Sequence, residues 1–491
     1  MKNKRYILII PTIMSMIFLL ASCASTTDNA QAERIQREPQ AIVEAGHLAG
    51  EINILVEQYG DNDLRIYADL FNAIHPNVVI NFETYQPATD MAEFAALTTR
   101  LMANPPDIFA FSTAGMNFEK VAHESLFVDL YDFFYGPRGI DQSEYFYNIF
   151  HALETSGGLF AVPLYVVPEL IYLNRRFFDA IDVDWSAIHS MTFEQEIEYF
   201  ALIQQALPDI RGIRANDLFS IWQLIERELL YDLETGNVYI DTPRMHGLVE
   251  QVIELYIPNP SRFIFMPTHK NFSVFGGSVE FADRILNNSN LMRLSRWDEW
   301  SRISIIFILQ DHPNMQFSQP VVMARGENAD LLEFSSHTSF SIMQNAANRD
   351  LAWEFLRFML EFDESLLNWY ENIVLPPLYA AATGNNLPIN RTRFDAQFGS
   401  IIGRDHFATW HFTDLGDFVD ISEEAHRELT ISSGLELYRG IVESLNFEVR
   451  SNRAVLNSLV YPDIWLLYTN QQDIATTLAN IQNRLELYVA E

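Results

Sequence analysis

The stretch INILVEQYGDNDLRIYADLFNAIHPNVVINF, residues 52–82, decides the fold class. Ile52-Asn53-Ile54-Leu55-Val56 is a short apolar run bounded by polar residues, the pattern of a buried strand. A polar loop follows, Glu57-Gln58-Tyr59-Gly60-Asp61-Asn62. Leu64, Tyr67, Ala68, Phe71 and Ile74 then fall at helical spacing, with Asp61 to Asp63 as N-cap residues. His75-Pro76-Asn77 stops the helix, because proline has no N–H to donate and restrains the residue before it. Val78–Phe82 reads as the next strand. Such a β-α-β unit predicts parallel strands joined by a right-handed crossover.

The pattern continues toward the C-terminus. A second helix is expected from Asp90 to Ala103, with Met91, Phe94, Leu97, Leu101 and Met102 on one side and Pro105-Pro106 as its stop. Asp107-Ile108-Phe109-Ala110-Phe111 is a third strand, opening into Ser112-Thr113-Ala114-Gly115. The alternation predicts an α/β domain with a mostly parallel sheet. From about Met191 the pattern turns helical. Helices are expected over Thr192–Ala206, Leu218–Leu230, Asp350–Phe362, Ser422–Thr430 and Gln471–Val489. Gly157-Gly158 and Gly276-Gly277 read as turns, and there is no internal repeat or low-complexity block.

Toward the N-terminus the chain carries an export signal. Lys2, Lys4 and Arg5 precede a mostly apolar run from Ile7 to Leu20, too short for a comfortable membrane span. Leu20-Ala21-Ser22-Cys23 resembles a bacterial lipobox, and Cys23 is the single cysteine of the 491 residues. That resemblance implies lipidation of Cys23, removal of residues 1–22, and a protein tethered to the outer face of the cytoplasmic membrane. More than one acyl chain makes such a tether permanent. Residues 24 to about 50 are small, polar and charged, and read as a flexible tether. Outside the membrane there is no ATP or NADH pool, which disfavours phosphoryl and hydride transfer.

Composition narrows the field further. The formal charge is −33, and removing residues 1–22 takes away three cations (Lys2, Lys4, Arg5) and no acid, giving −36. This is a poor surface for nucleic acid or anionic lipid. Hydrophobic residues make up 48% and aromatics 13%, so the chain has the material for a core. Its length exceeds what single cores support, so two or more lobes are expected. One cysteine allows no internal disulfide and no thiolate metal cluster.

Catalytic signatures are missing from the sequence. There is no G-x-S-x-G, H-E-x-x-H, P-loop or G-x-G-x-x-G in a βαβ setting. His406 and His411 are five apart, off one helical face. Asp61-Asn62-Asp63 lacks the Gly and distant Glu of a calcium loop. Glu194, Glu196 and Glu198 read as a solvated helix face. No cofactor and no metal are expected.

Several ordered stretches together resemble the carbohydrate-type, family 1 extracellular solute-binding proteins of ABC importers. Asn104-Pro105-Pro106-Asp107-Ile108-Phe109 resembles their G-x-x-P-D-V element, and Leu126-Phe127-Val128-Asp129-Leu130 their G-x-L-x-x-L element, with Ser125 in place of Gly. Gly158-Leu159-Phe160-Ala161-Val162-Pro163 and Ile171-Tyr172-Leu173-Asn174-Arg175-Arg176-Phe177-Phe178 resemble G-x-x-Y-G-V-P … Y-Y-N-K-x-L-F, with Ala161 for Gly. Met191-Thr192-Phe193-Glu194-Gln195 resembles P-x-T-W-D-E, and the run from Ala346 to Phe358 resembles S-x-N-x-E-x-A-W-E-F-L-K-F. Asp473-Ile474-Ala475 and Asn483-Arg484-Leu485 fit the family's closing helix.

The resemblance implies a two-lobed periplasmic-binding-protein-like α/β fold with a hinge. It implies lobe 1 from 51–165 plus about 290–343, and lobe 2 from 166–289 plus about 344–491. It implies capture of a small solute, a mono- or oligosaccharide, by hinge closure and its delivery to a membrane permease by a monomeric lipoprotein. The cleft residues expected are Tyr59 and Asp61, Ser112 and Thr113, Tyr165 and Glu169, with Trp222, Trp297 and Trp300 as stacking platforms. Flat aromatic faces with carboxylates and hydroxyls are the groups sugar recognition uses. Asp61 serves equally as a helix N-cap, and Trp353 reads as core. Two other functions share the features. A sensory lipoprotein would use the same fold to signal to a receptor kinase, and a surface glycosidase would pair two of the 65 acidic residues.

Overall fold

A computed structural model describes residues 48–58, 61–112, 118–123, 125–171, 173, 175–206, 224, 231–232, 237–256, 321–325, 329–336, 338–362, 387–402, 435–449 and 453–490. The strands are β1 (Ala49–Glu57), β2 (Asn77–Tyr85), β3 (Ile108–Phe111), β4 (Val162–Pro163), β5 (Tyr165–Pro168), β6 (Leu170–Ile171), β7 (Ser190–Thr192), β8 (Tyr231–Asp232), β9 (Asn237–Val238), β10 (Val321–Arg325), β11 (Leu331–Ser336), β12 (Ser339–Ile342), β13 (Leu387–Pro388) and β14 (Phe447–Glu448). They form two larger sheets, ordered β2-β1-β3-β12-β4 and β13-β5-β11-β10-β6, with β14 on β11, β7 on β10, and a separate β8–β9 pair.

The first sheet grows from the β-α-β unit. β1 runs parallel to β2 and to β3, with Ile54 opposite Phe82 on one side and Ile108 on the other. Ile52, Ile54 and Val56 alternate onto one face while Leu55 joins Phe109 and Phe111 on the other. Helix α1 (Asp61–Ile74) buries Leu64, Tyr67, Ala68 and Phe71. Helix α2 (Met91–Ala103) buries Phe94, Leu97 and Leu101. Asp90 caps α2 by accepting from Glu93 N at 2.9 Å, and Glu93 reaches back to Thr89 N at 2.8 Å.

Asp107 locks this sheet. It is 2% exposed. Its Oδ2 accepts from Asn53 N at 2.8 Å and its Oδ1 from Asn348 N at 2.9 Å. One carboxylate thus joins β1, the start of β3 and the N-cap of α6 (Arg349–Glu361). Helix α6 packs on α1, β1 and β12 and buries Trp353, whose indole donates to Arg138 O at 2.9 Å.

The chain passes between the two sheets by adjacent links. Leu164 alone separates β4 in the first sheet from β5 in the second. On the return, β11 ends at Ser336 and β12 begins at Ser339. The links lie side by side: Val162 pairs with Phe340, and Val166 with Ser336. The sequence bounds put about 290–343 in lobe 1 and everything from about 344 in lobe 2. The described strands β10 and β11 pair in the second sheet, and α6 packs on the first. Pairing between distant strands sets these memberships, and it leaves no local mark in sequence.

A second core is tied to the second sheet through α4 (Phe193–Ala206), which lies on β7 and β10. It packs α4, α5 (Pro243–Tyr256), α8 (Tyr461–Tyr468) and α9 (Ile474–Ala490) through Ile197, Val249, Ile464 and Ile481. The expected solvated face of α4 is only partly solvated. Glu198 is exposed and Glu194 pairs with Arg244 at 3.1 Å, but Glu196 is 8% exposed. Helical spacing explains it, since Glu196 shares a stripe with Tyr199 and buried Ile203. The helices expected over Leu218–Leu230 and Ser422–Thr430 lie outside the described residues apart from Leu224. The same holds for Gly276-Gly277, His406 and His411.

Replacing Asp107 by Ala leaves two part-buried N–H groups without their acceptor. The expected loss is about 3 kcal/mol of unfolding free energy, read as a lower urea midpoint.

Candidate functional site

In open α/β sheets ligands sit beyond the carboxyl ends of the strands. In the first sheet this edge is the end of β1, β2 and β3. The β1–β2 register closes with Glu57 opposite Tyr85, and Gln58 N donates to Tyr85 O at 2.9 Å. Ser112 follows β3 directly. It donates to Glu57 Oε2 from its backbone N at 3.2 Å and from its hydroxyl at 2.6 Å. Glu57 and Ser112 are both half-buried. Burial pushes the Tyr85 phenol up, and the neighbouring Glu57 charge adds to the shift. Among the described residues Glu57 forms no ion pair, so the edge presents a held carboxylate and a hydroxyl, suited to hydroxyl donors.

Beneath this edge lies an aromatic floor. Phe111 stacks on Phe109 and Phe118, each with centroids 5.2 Å apart. Phe118 begins α3 (Phe118–His123), the helix after the β3 loop. The second core meets the edge here. Asn457 Nδ2 donates to Thr89 O at 2.8 Å, Met91 N donates to Ser458 Oγ at 3.2 Å, and Lys120 Nζ lies 4.7 Å from the Tyr488 ring centroid.

The expected ligand residues fall into distinct places. Ser112 is at the carboxyl edge. Tyr165 and Glu169 are on the stretch that crosses into the second sheet. The Tyr165 hydroxyl accepts from Arg393 Nη2 at 2.6 Å and lies 3.2 Å from the Tyr67 hydroxyl. Arg393 is 5% exposed and also donates to Met359 O at 3.1 Å. Its Cζ lies 5.2 Å from the Tyr165 ring centroid. Glu169 is buried, its N–H donating to Glu333 O at 3.0 Å and its carbonyl accepting from Met323 N at 2.7 Å. Asp61 is the first residue of α1. Cys23, Tyr59, Thr113, Trp222, Trp297 and Trp300 lie outside the described residues.

Glu57 is the residue that sequence reading missed. It follows an apolar strand and opens a polar loop, and this position was its one available signal. Among the described residues no group of three or more His, Cys, Asp or Glu side chains is placed to hold a metal. Two surface grooves lie away from the carboxyl edge. One of about 440 Å³ runs beside Asn53, Asn81, Arg100 and Asn104, and one of about 390 Å³ lies between α4 and α5.

No protein-family model matches the sequence, and no curated protein matches it. Solved structures do match in fold. The extracellular solute-binding protein family 1 from Alicyclobacillus acidocaldarius subsp. acidocaldarius DSM 446 shares 10% identity, covering 91% of this chain and 100% of that one at a TM-score of 0.50. CpMnBP1 with mannotriose bound shares 13% identity over 89% of this chain and 99% of that one, with a TM-score of 0.50. UspC of M. tuberculosis shares 12% identity over 89% and 100%, also at 0.50. Two mixed sheets flanked by helices and joined by paired crossing strands give this chain the fold of the extracellular solute-binding proteins.

Proposed function

We propose that the chain is the substrate-binding lipoprotein of an ABC importer. It captures an extracellular mono- or oligosaccharide and delivers it to membrane permease subunits. Cys23 carries the lipid that tethers a monomeric protein to the outer face of the cytoplasmic membrane, with residues 24–50 as the tether. No helix among the described residues is long and apolar enough to cross a membrane. The observation that carries the reading is the pair of adjacent links between two sheets, one of which ends in a carboxylate and hydroxyl edge. A solute that contacts both lobes favours the closed state by its differential affinity, and closure needs only a few backbone rotations in such links.

The ligand contacts we propose are Glu57 and Ser112 at the edge, with Tyr59, Asp61 and Thr113 on the adjoining loops. Trp222, Trp297 and Trp300 would supply stacking faces. Tyr165 and Glu169 belong to the crossing stretch, where their partners hold the link in place. The likeness to a protein solved with mannotriose supports a sugar. The mature lobes we propose follow the two sheets, with solute bound between them and no chemical step.

Thermal unfolding against glucose, maltotriose, mannotriose, small peptides and polyamines tests this. A solute at 100 times its Kd stabilises by about 2.7 kcal/mol, a shift of several degrees. The expected outcome is a saturable shift with one class of sugar and no turnover. A panel that leaves the melt unmoved, or a sugar that is hydrolysed, contradicts the reading. For the sugar that binds, Glu57→Ala is expected to weaken affinity about 10- to 100-fold, as loss of charge-assisted hydrogen bonds does, measured by calorimetry.

A further inference from the structure

Between Val455 and Tyr461 the chain widens from α-helical geometry into one π-helical turn, Leu456–Val460, then continues as α8. Such turns are rare and give up regular helix bonding, so a compensating contact is expected where one persists. Leu456 and Val460 anchor the turn in the second core. Asn457 and Ser458, half-buried, project the other way, onto the first-sheet lobe.

What they meet is the start of α2. Asn457 Nδ2 donates to Thr89 O at 2.8 Å, and Ser458 Oγ accepts from Met91 N at 3.2 Å. Met91 N is one of the orphan donors at a helix N-terminus, whose own cap, Asp90, serves Glu93 N instead. The cap of α2 is therefore completed by a residue 367 positions away, from the other core. This junction lies on the loop leaving β2 at Tyr85, the residue opposite Glu57. Around it Met91 packs against both cores, Ala454 is buried with the first-sheet residues, and Lys120 sits over Tyr488. None of these contacts uses the crossing strands.

We propose that the π-helical turn Leu456–Val460 is a latch that engages the two lobes across the carboxyl edge in a fraction of the molecules before solute arrives. Its polar half consists of hydrogen bonds that water can replace on opening, so each has a modest net worth and the latch is releasable. A solute then binds a molecule already biased toward closure, and a weaker latch lowers apparent affinity by the fraction of closed protein lost. The proposal rests on the two-lobed closing reading, but its readout needs no solute. A protein that binds no sugar still decides it.

The test uses the full chain with Cys23→Ser, and spin labels on cysteines introduced at exposed Ala96 of α2 and exposed Glu250 of α5. Interlobe distances are measured by double electron–electron resonance without solute. The expected result in this parent is two populations, an open one and a shorter, latched one. With Asn457→Ala and Ser458→Ala the shorter population shrinks, the open-to-closed ratio rising roughly fivefold per bond removed. Distributions that superimpose in parent and variant overturn the proposal, as does a parent already wholly open. A cooperative melt shows that the double variant folds. If it does not, Asn457→Ala alone supplies the same comparison.

Discussion

Among the described residues two short backbone links join the two larger sheets. Leu164 joins β4 to β5, and the residues after Ser336 join β11 to β12. Because they pair side by side, the proposed rotation of one lobe against the other would be shared by both at one place. Polar groups stiffen both sides of that place. Ser336 donates to Glu448 of β14 and accepts from the Ser339 hydroxyl at 3.0 Å, tying the return link to the second sheet. Arg393 ties the outgoing link to α1 and the end of α6 through Tyr165, Tyr67 and Met359. A buried guanidinium is costly unless its donors are used, so this cluster fixes where the outgoing strand starts. In the proposed closure the residues between these anchors would absorb the rotation.

Rigidity within the first lobe comes from another long-range group. Asp107 brings together residues 54 and 241 positions away, so β1, β3 and α6 behave as one body. The carboxyl edge lies between this body and the helical core, and in the proposed closure it is the surface that would change. Glu57 and Ser112 already hold each other there, which would spare ordering cost in the proposed binding.

Sequence reading reached whatever is local. The β1-α1-β2 unit, α2 and β3 follow from apolar period and proline stops, and their observed bounds differ from the expected ones by a few residues at most. Trp353 was legible as core because Leu356 lies at helical spacing from it. What escaped depends on pairing across distance. Asp107 appeared as a motif letter, yet its role needs Asn348. Glu57 looked like loop until the register set it beside Ser112 and Tyr85. The return link needed Ser335 opposite Val167, and nothing near Ser336 announces that pairing. Glu196 was misjudged because alternate acids suggest a wet face, whereas a helix turns about 100° per residue and carries that side chain inward.

The central claim is that the two sheets close around a solute. Small-angle X-ray scattering of the mature protein, with and without a saturating sugar identified by thermal shift, tests it most directly. The account predicts a smaller radius of gyration and a shorter maximum dimension with sugar, reversed on dialysis. Identical scattering with the sugar demonstrably bound would contradict hinge closure and leave a rigid binding protein in its place.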